Sequence, residues 1–287
     1  QTGDDSLDFS YRLFRLNPET GTWAGMETEA EPHPYDRNAN NRTGLFRIEY
    51  DRNAKSGEPC SYVVLYRPVG TAEGSEEERI LYYNDKAEEY PRIIRQSDAY
   101  AVLSLLRGES RDFIVLDTQG TAVYRLNGGA DDVFESTPLT LFEDTLLLKT
   151  DTDDDYEYDT LTYRDLKEGS HAAVDFRGNF AYWTYSPDGS AVAAYNAEDG
   201  RTDMVVCDVA GGFRTSSFTL EGTVTDAVPL GGMVFVRMKD GTAFLADAAT
   251  GTLSEPIQAD GECLSVFSAR SMAVLSEDGT ASVYAAS

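Results

Sequence analysis

The stretch MVVCDVAGG, residues 204–212, reads as an apolar β-strand that ends on an aspartate and turns on a pair of glycines. Three close echoes occur elsewhere: TAFLADAATG at 242–251, DFIVLDTQG at 112–120 and LTYRDLKEG at 161–169. Their turn aspartates are Asp117, Asp165, Asp208 and Asp247, which step along the chain by 48, 43 and 39 residues. A repeat of about forty residues built from strands alone predicts a β-propeller, in which each repeat is a small antiparallel blade that buries its faces against its neighbours. The acid and the glycine are turn chemistry, because Asp accepts from nearby backbone N–H groups and Gly tolerates positive φ.

A second set of turns gives the same period. Asp-Gly pairs stand in SPDG (186–189), AEDG (197–200), KDG (239–241) and EDG (277–279), each between apolar runs, as in tight hairpins. Between these marks, sets of four strands are expected over 93–126, 139–176, 181–220 and 225–256, with a looser set over 45–83. Three strands in 262–286 lack a fourth, and the segments 11–16 and 22–26 are suited to supply the missing outer part. The expected fold is therefore all-β, a propeller of six blades with seven as the alternative, its ring closed by N- and C-terminal strands. Residues 1–8 read as a flexible tail and 9–287 as a single domain.

The segment WTYSPDGSAVAAYN, 183–196, resembles the WD40-like repeat of TolB-type propellers, where an aromatic-Ser-Pro-Asp-Gly turn precedes an apolar strand. LFRLNPETGTW, 13–23, and FLADAATGTL, 244–253, resemble the strand-turn-strand phrase of propellers generally. The Gly-His and Trp-Asp dipeptides of true WD40 repeats are absent. The resemblance implies a scaffold with a central funnel used for protein or ligand contacts, and it transfers no activity.

The chain of 287 residues carries 50 acids against 24 bases, a formal charge of −26. Such a field repels phosphate backbones, which excludes nucleic acid as a general partner, and it keeps the chain soluble. It favours basic peptides, cationic surfaces or divalent ions. No run of about 18 apolar residues marks a membrane span. The polar opening QTGDDS is expected to belong to the mature part of an exported or surface-anchored bacterial protein, a secreted chain or a lipoprotein with its lipid tether upstream. Cys60, Cys207 and Cys263 form no CxxC pair and an odd count, so buried free thiols are expected; they lean toward a reducing compartment, which keeps a cytoplasmic location as the alternative.

No catalytic residue is assigned. The two histidines, His33 and His171, lie without a GxSxG elbow, and HExxH, GxxxxGK[ST] and GxGxxG are missing. A carbohydrate-active enzyme using paired funnel carboxylates remains the alternative, since such a pair is not legible in a single sequence. The densest acidic cluster holds Asp151, Asp153 and Asp155 in the alternation of a calcium loop. Tyr156 occupies the place where such a loop needs Gly, and no Glu follows at the twelfth position. A solvated hairpin tip is the expectation there, with no cofactor, and calcium the alternative. Binding of a protein, peptide or glycan at one face is expected, and the aromatic candidates are Tyr182, Trp183, Tyr185, Tyr82 and Tyr83. Function is to be sought where the repeat is interrupted, at 27–42, 70–78 and 151–159.

Overall fold

Runs of β-branched and aromatic residues, broken every eight to twelve positions by acid-led turns, leave no stretch with helical periodicity. The computed structural model accordingly contains strands and turns and no helix among the residues it describes, which are 13–17, 22–26, 44–68, 78–127, 136–153, 155, 157–257, 264–267, 271–275 and 281–285. The chain divides into two compact units, Gln1–Ala39 and Asn40–Ser287. In the first, β1 (Leu13–Asn17) pairs antiparallel with β2 (Thr22–Met26), Leu13 opposite Met26.

The second unit is a succession of antiparallel sheets, each made of consecutive strands. The first holds β3 (Gly44–Tyr50), β4 (Tyr62–Pro68) and β5 (Arg79–Asn84). The next has four: β6 (Tyr90–Gln96), β7 (Tyr100–Arg107), β8 (Ser110–Asp117) and β9 (Ala122–Asn127). Another four follow, β10 (Ser136–Phe142), β11 (Thr145–Thr150), β12 (Tyr158–Asp165) and β13 (His171–Phe180). The fourth sheet is β14 (Tyr182–Tyr185), β15 (Ala191–Glu198), β16 (Arg201–Asp208) and β17 (Arg214–Glu221). Then come β18 (Val224–Leu230), β19 (Met233–Met238) and β20 (Ala243–Asp247), and last β21 (Leu264–Phe267), β22 (Ser271–Leu275) and β23 (Ala281–Ala285).

These sheets match the strand sets expected from the turns. One outer strand, expected over 252–256, is reduced to two isolated bridges, Ala246 with Leu253 and Ala243 with Ile257. Pro256 lies in that stretch and has no N–H to give a ladder. The terminal strands form two sheets, β1–β2 and β21–β22–β23.

The first strands of successive sheets meet, β3 with β6, β6 with β10, β10 with β14 and β14 with β18, and β15 and β16 also reach β18. The first strand is thus the inner one of these five sheets. Both faces of the second strands are covered, which is why β7 and β15 read as unbroken buried runs rather than alternating ones. Leu103, Leu105 and Ile114 pack on Phe46, Tyr62 and Val64 of the preceding sheet, and Val205 and Cys207 pack on Leu147, Leu161 and Phe176. Burial of such side chains contributes about 1.5–3 kcal/mol each.

The repeated turns do the scaffold work foreseen for them. The Oδ1 atoms of Asp117, Asp165 and Asp247 each accept two turn N–H groups, and Asp208 Oδ1 accepts that of Gly211. Gly189, in the SPDG turn, combines a φ of +75° with a close approach: a Cβ there would lie 2.1 Å from the carbonyl oxygen of Leu141 in the preceding sheet. Inner strands carry bulges, with a register shift at 93/95 in β6 and at 138/140 in β10.

Candidate functional site

Strand β14 places the richest aromatic group on an inner edge. Because side chains alternate along a strand, Tyr182 falls on one face and Trp183 and Tyr185 split from it. Tyr182 is 52% exposed while stacked on Tyr195 of the adjacent β15, ring centroids 5.1 Å apart. Trp183 instead turns into the core, stacked on Phe176 at 5.0 Å, with its Nε1–H donated to the Phe180 carbonyl at 3.0 Å. Tyr185 is half-buried in the same cluster, and burial, only partly offset by Arg95, raises its phenol.

Arg95 connects this strand to two others. From β6 its Nε donates to the carbonyl of Leu139 in β10 at 2.6 Å, and its Nη1 to the carbonyl of Ile94 at 2.5 Å. Ile94 and Leu139 are the bulged residues, whose carbonyls fall out of the ladder, so the guanidinium satisfies groups that the bulges release. Its plane lies against Tyr185, 4.7 Å from the ring centroid. Desolvation lowers the Arg95 pKa, and no carboxylate pairs with it among the described residues. A sequence reading that looked for aromatics and acids had no signal for this arginine.

Tyr82 and Tyr83 lie on β5, in another sheet. Tyr82 faces inward and stacks on Tyr62 at 5.9 Å, whereas Tyr83 is 63% exposed, with Ile80 exposed on the same strand. The five aromatic candidates are therefore not one cluster: Tyr182 and Tyr83 present open rings on separate sheets, and Trp183, Tyr185 and Tyr82 are packing residues.

Among the interruptions of the repeat, 27–42 and 70–77 lie outside the described residues, as does Cys263. Glu78 pairs with Arg47 at 2.7 Å. Asp151, Asp153 and Asp155 bring carboxylate oxygens within 4.8 Å of one another. Asp155 accepts from the Asn179 amide, and Thr152 donates to Asp159 at 2.5 Å. Slight desolvation and the neighbouring Asp155, Asp159 and Asp151 raise the Asp153 carboxyl. Cys60 and Cys207 are buried free thiols, as expected. Burial, aided by Asp208, pushes Cys207 up to about 12.

The best-buried charge among the described residues is Glu89, one of 50 acids in the sequence with no local signal to set it apart. Its carboxylate is 1% exposed and accepts from Tyr62 Oη, from Asn84 Nδ2 at 2.8 Å, and from Arg107 Nε and Nη2, each at 2.7 Å. Burial would raise this carboxyl, but the hydrogen bonds outweigh it and hold the pKa below the ordinary range. Every acceptor position is used within the protein, so Glu89 is a tie between the first two sheets and not a reacting group.

The chain matches no protein-family profile and no curated protein. Its arrangement is similar to the β-propeller domain of the Trilobed protease from Pyrococcus furiosus, with TM-score 0.52 at 11% identity over 95% of this chain and 88% of that one. The fold is a β-propeller of six to seven blades. Weaker likenesses include TolB from Acinetobacter baumannii, with TM-score 0.42, 13% identity, and coverage of 83% of this propeller and 62% of that chain. Prolyl oligopeptidase B from Galerina marginata gives TM-score 0.45 at 16% identity, over 84% of the propeller and 36% of that chain. The propeller thus spans about a third of that oligopeptidase's length. No helix among the described residues is long and apolar enough to cross a membrane.

Proposed function

We propose that this chain is a non-enzymatic propeller module of an exported or surface-anchored bacterial protein, and that it recognises a protein, peptide or glycan at one face. In this reading residues 9–287 act as one domain, with the ring closed by N- and C-terminal strands. The observation that carries the binding face is Tyr182: an inner-strand ring left 52% exposed although a stacking partner, Tyr195, fixes its orientation. A large aromatic held rigid at a surface loses little entropy on contact and offers both an apolar face and a hydroxyl. The field of a chain at −26 would speed the approach of cationic partners.

The test is a binding screen of the intact chain on immobilised peptides and oligosaccharides, repeated with Tyr182→Ala. Loss of the wild-type hits in the variant supports the face, and hits wholly indifferent to the substitution overturn it. The carbohydrate-active alternative predicts in addition that a bound oligosaccharide is shortened on incubation, which chromatography of the products would reveal.

A further inference from the structure

A cavity of about 630 Å³ lies between the outer parts of the β10–β13 and β14–β17 sheets, walled by β13 on one side and by β16 and β17 on the other. Its size falls within the range of small-ligand sites, roughly 300–1,000 Å³. The β13 wall is an expanded bulge. Thr160 pairs with Asp175 and Tyr158 with Phe180, so that Asp159 alone stands opposite residues 176–179. Within it Arg177 has φ +59°, a left-handed conformation that costs a non-glycine residue about 1 kcal/mol or more. Asp175 Oδ1 accepts the Arg177 N–H at 2.6 Å and holds that turn. Glycine would fit the backbone without strain; the residue there is Arg177, which lines the cavity and makes no ion pair among the described residues.

The opposite wall is built from residues 203–205 of β16 and 215–219 of β17. Asp203 stands across from Thr219 and Val205 from Ser217, so these four and Thr215 share one face. Asp203 is pinned by Arg201 at 2.8 Å and by the Thr219 hydroxyl at 2.6 Å, which together hold its carboxyl below the ordinary range and keep it an ionised acceptor. The hydroxyls of Thr215 and Ser217 make no hydrogen bond among the described residues. Main-chain groups of β16 are taken up on both sides by β15 and β17, so the polar groups it offers the cavity are side chains. Phe176 and Phe180, nearly fully buried, close the floor.

The lining carries two carboxylates, Asp175 and Asp203, beside Arg177, and Arg201 pairs with Asp203 from next to it. Acceptors and a donor of opposite charge side by side suit a ligand of many hydroxyls better than an ion of either sign. Carboxylate and guanidinium are both planar groups with paired acceptors or donors, and adjacent ring hydroxyls match either one.

We propose that the groove between β13 and the β16–β17 face binds a neutral oligosaccharide. Arg177 donates to one pair of vicinal hydroxyls, Asp175 and Asp203 accept from others, and Thr215 and Ser217 complete the contacts. The site is distinct from Tyr182 on β14 and does not depend on the binding face proposed above.

The experiment titrates the intact chain calorimetrically with maltohexaose, cellohexaose, laminarihexaose and mannohexaose at millimolar concentration, beside Arg177→Gln, Ser217→Leu and Tyr182→Ala, each verified as folded by circular dichroism. Binding of at least one hexasaccharide is expected, weakened about tenfold or more by Arg177→Gln and by Ser217→Leu. Absence of binding to all four overturns the proposal, as does binding indifferent to both groove variants. Binding lost in Tyr182→Ala but retained in Arg177→Gln also overturns it, while leaving the β14 face standing.

Discussion

The guanidinium of Arg95 lies 4.7 Å from the ring centroid of Tyr185, although the two residues belong to sheets that are not neighbours, with β10 between them. Arg95 thereby joins three inner strands, since its remaining bonds go to the carbonyls of Leu139 and Ile94. Hydrogen bonds from a charged donor are worth about 1.5–3 kcal/mol, and a partly desolvated cation–π contact adds about 1 kcal/mol. Arg95→Met is expected to cost about 3 kcal/mol, read as a lower thermal midpoint and a lower urea midpoint. Tyr185→Phe keeps the ring and is expected to change stability by less than about 0.5 kcal/mol. A larger loss for the phenylalanine variant than for the methionine one would contradict this assignment.

Glu89 makes a different prediction, because a charge buried at 1% exposure and bonded on both oxygens is costly to break on one side only. Removing its partner in Arg107→Ala is expected to destabilise by about 1.5–3 kcal/mol, since Oε2 loses its charged donor while Tyr62 and Asn84 still bond Oε1. Glu89→Gln should lose less. The sign with pH follows from the direction of the shift. Its folded pKa is depressed, so the stability it contributes is present above the unfolded value of about 4.3 and is lost as pH falls through the folded one. Urea midpoints measured from pH 7 downward should fall in the acid range for the wild type and fall less steeply for Glu89→Gln.

What could be read in advance was the part of the fold specified locally. Asp117, Asp165, Asp208 and Asp247 each organise their turn through their own side chain, so a short window around each contains the whole cause. The inner-strand bulges were not legible, because an extra residue at Ile94 or Leu139 is set by the partner strand and by Arg95. Glu89 looked like any of 50 acids until the fold brought Tyr62 and Arg107 to it across the sheets. The groove was not legible either, because the residues of β17 meet their opposing wall only through a bulge in β13 that Asp159 and its neighbours impose.

The buried thiols give a chemical prediction. Burial pushes Cys207 up to about 12, with Asp208 adding to it, and raises Cys60 with help from Asp51. Thiolate is the reactive form, so both should resist iodoacetamide in the native chain near pH 8 and react promptly in denaturant. Peptide mass spectrometry reads the two sites separately. Rapid native labelling of Cys207 would be inconsistent with its position in the core.

Gly189 and Gly200 provide the sharpest test of how the blades meet. Both sit at positive φ, +75° and +81°, so replacement by Ala costs each about 1 kcal/mol in backbone strain. A Cβ at 200 meets nothing within 4 Å, whereas a Cβ at 189 would stand 2.1 Å from the Leu141 carbonyl oxygen and 2.8 Å from its carbon. That neighbour is backbone and cannot swing away, so relief requires the SPDG turn to lift from the preceding sheet and open the contacts around Leu141. Gly200→Ala is therefore expected to lower stability by about 1 kcal/mol, and Gly189→Ala by about 3 kcal/mol or more. Equal losses in chemical denaturation would mean that the SPDG turn does not rest on the neighbouring blade.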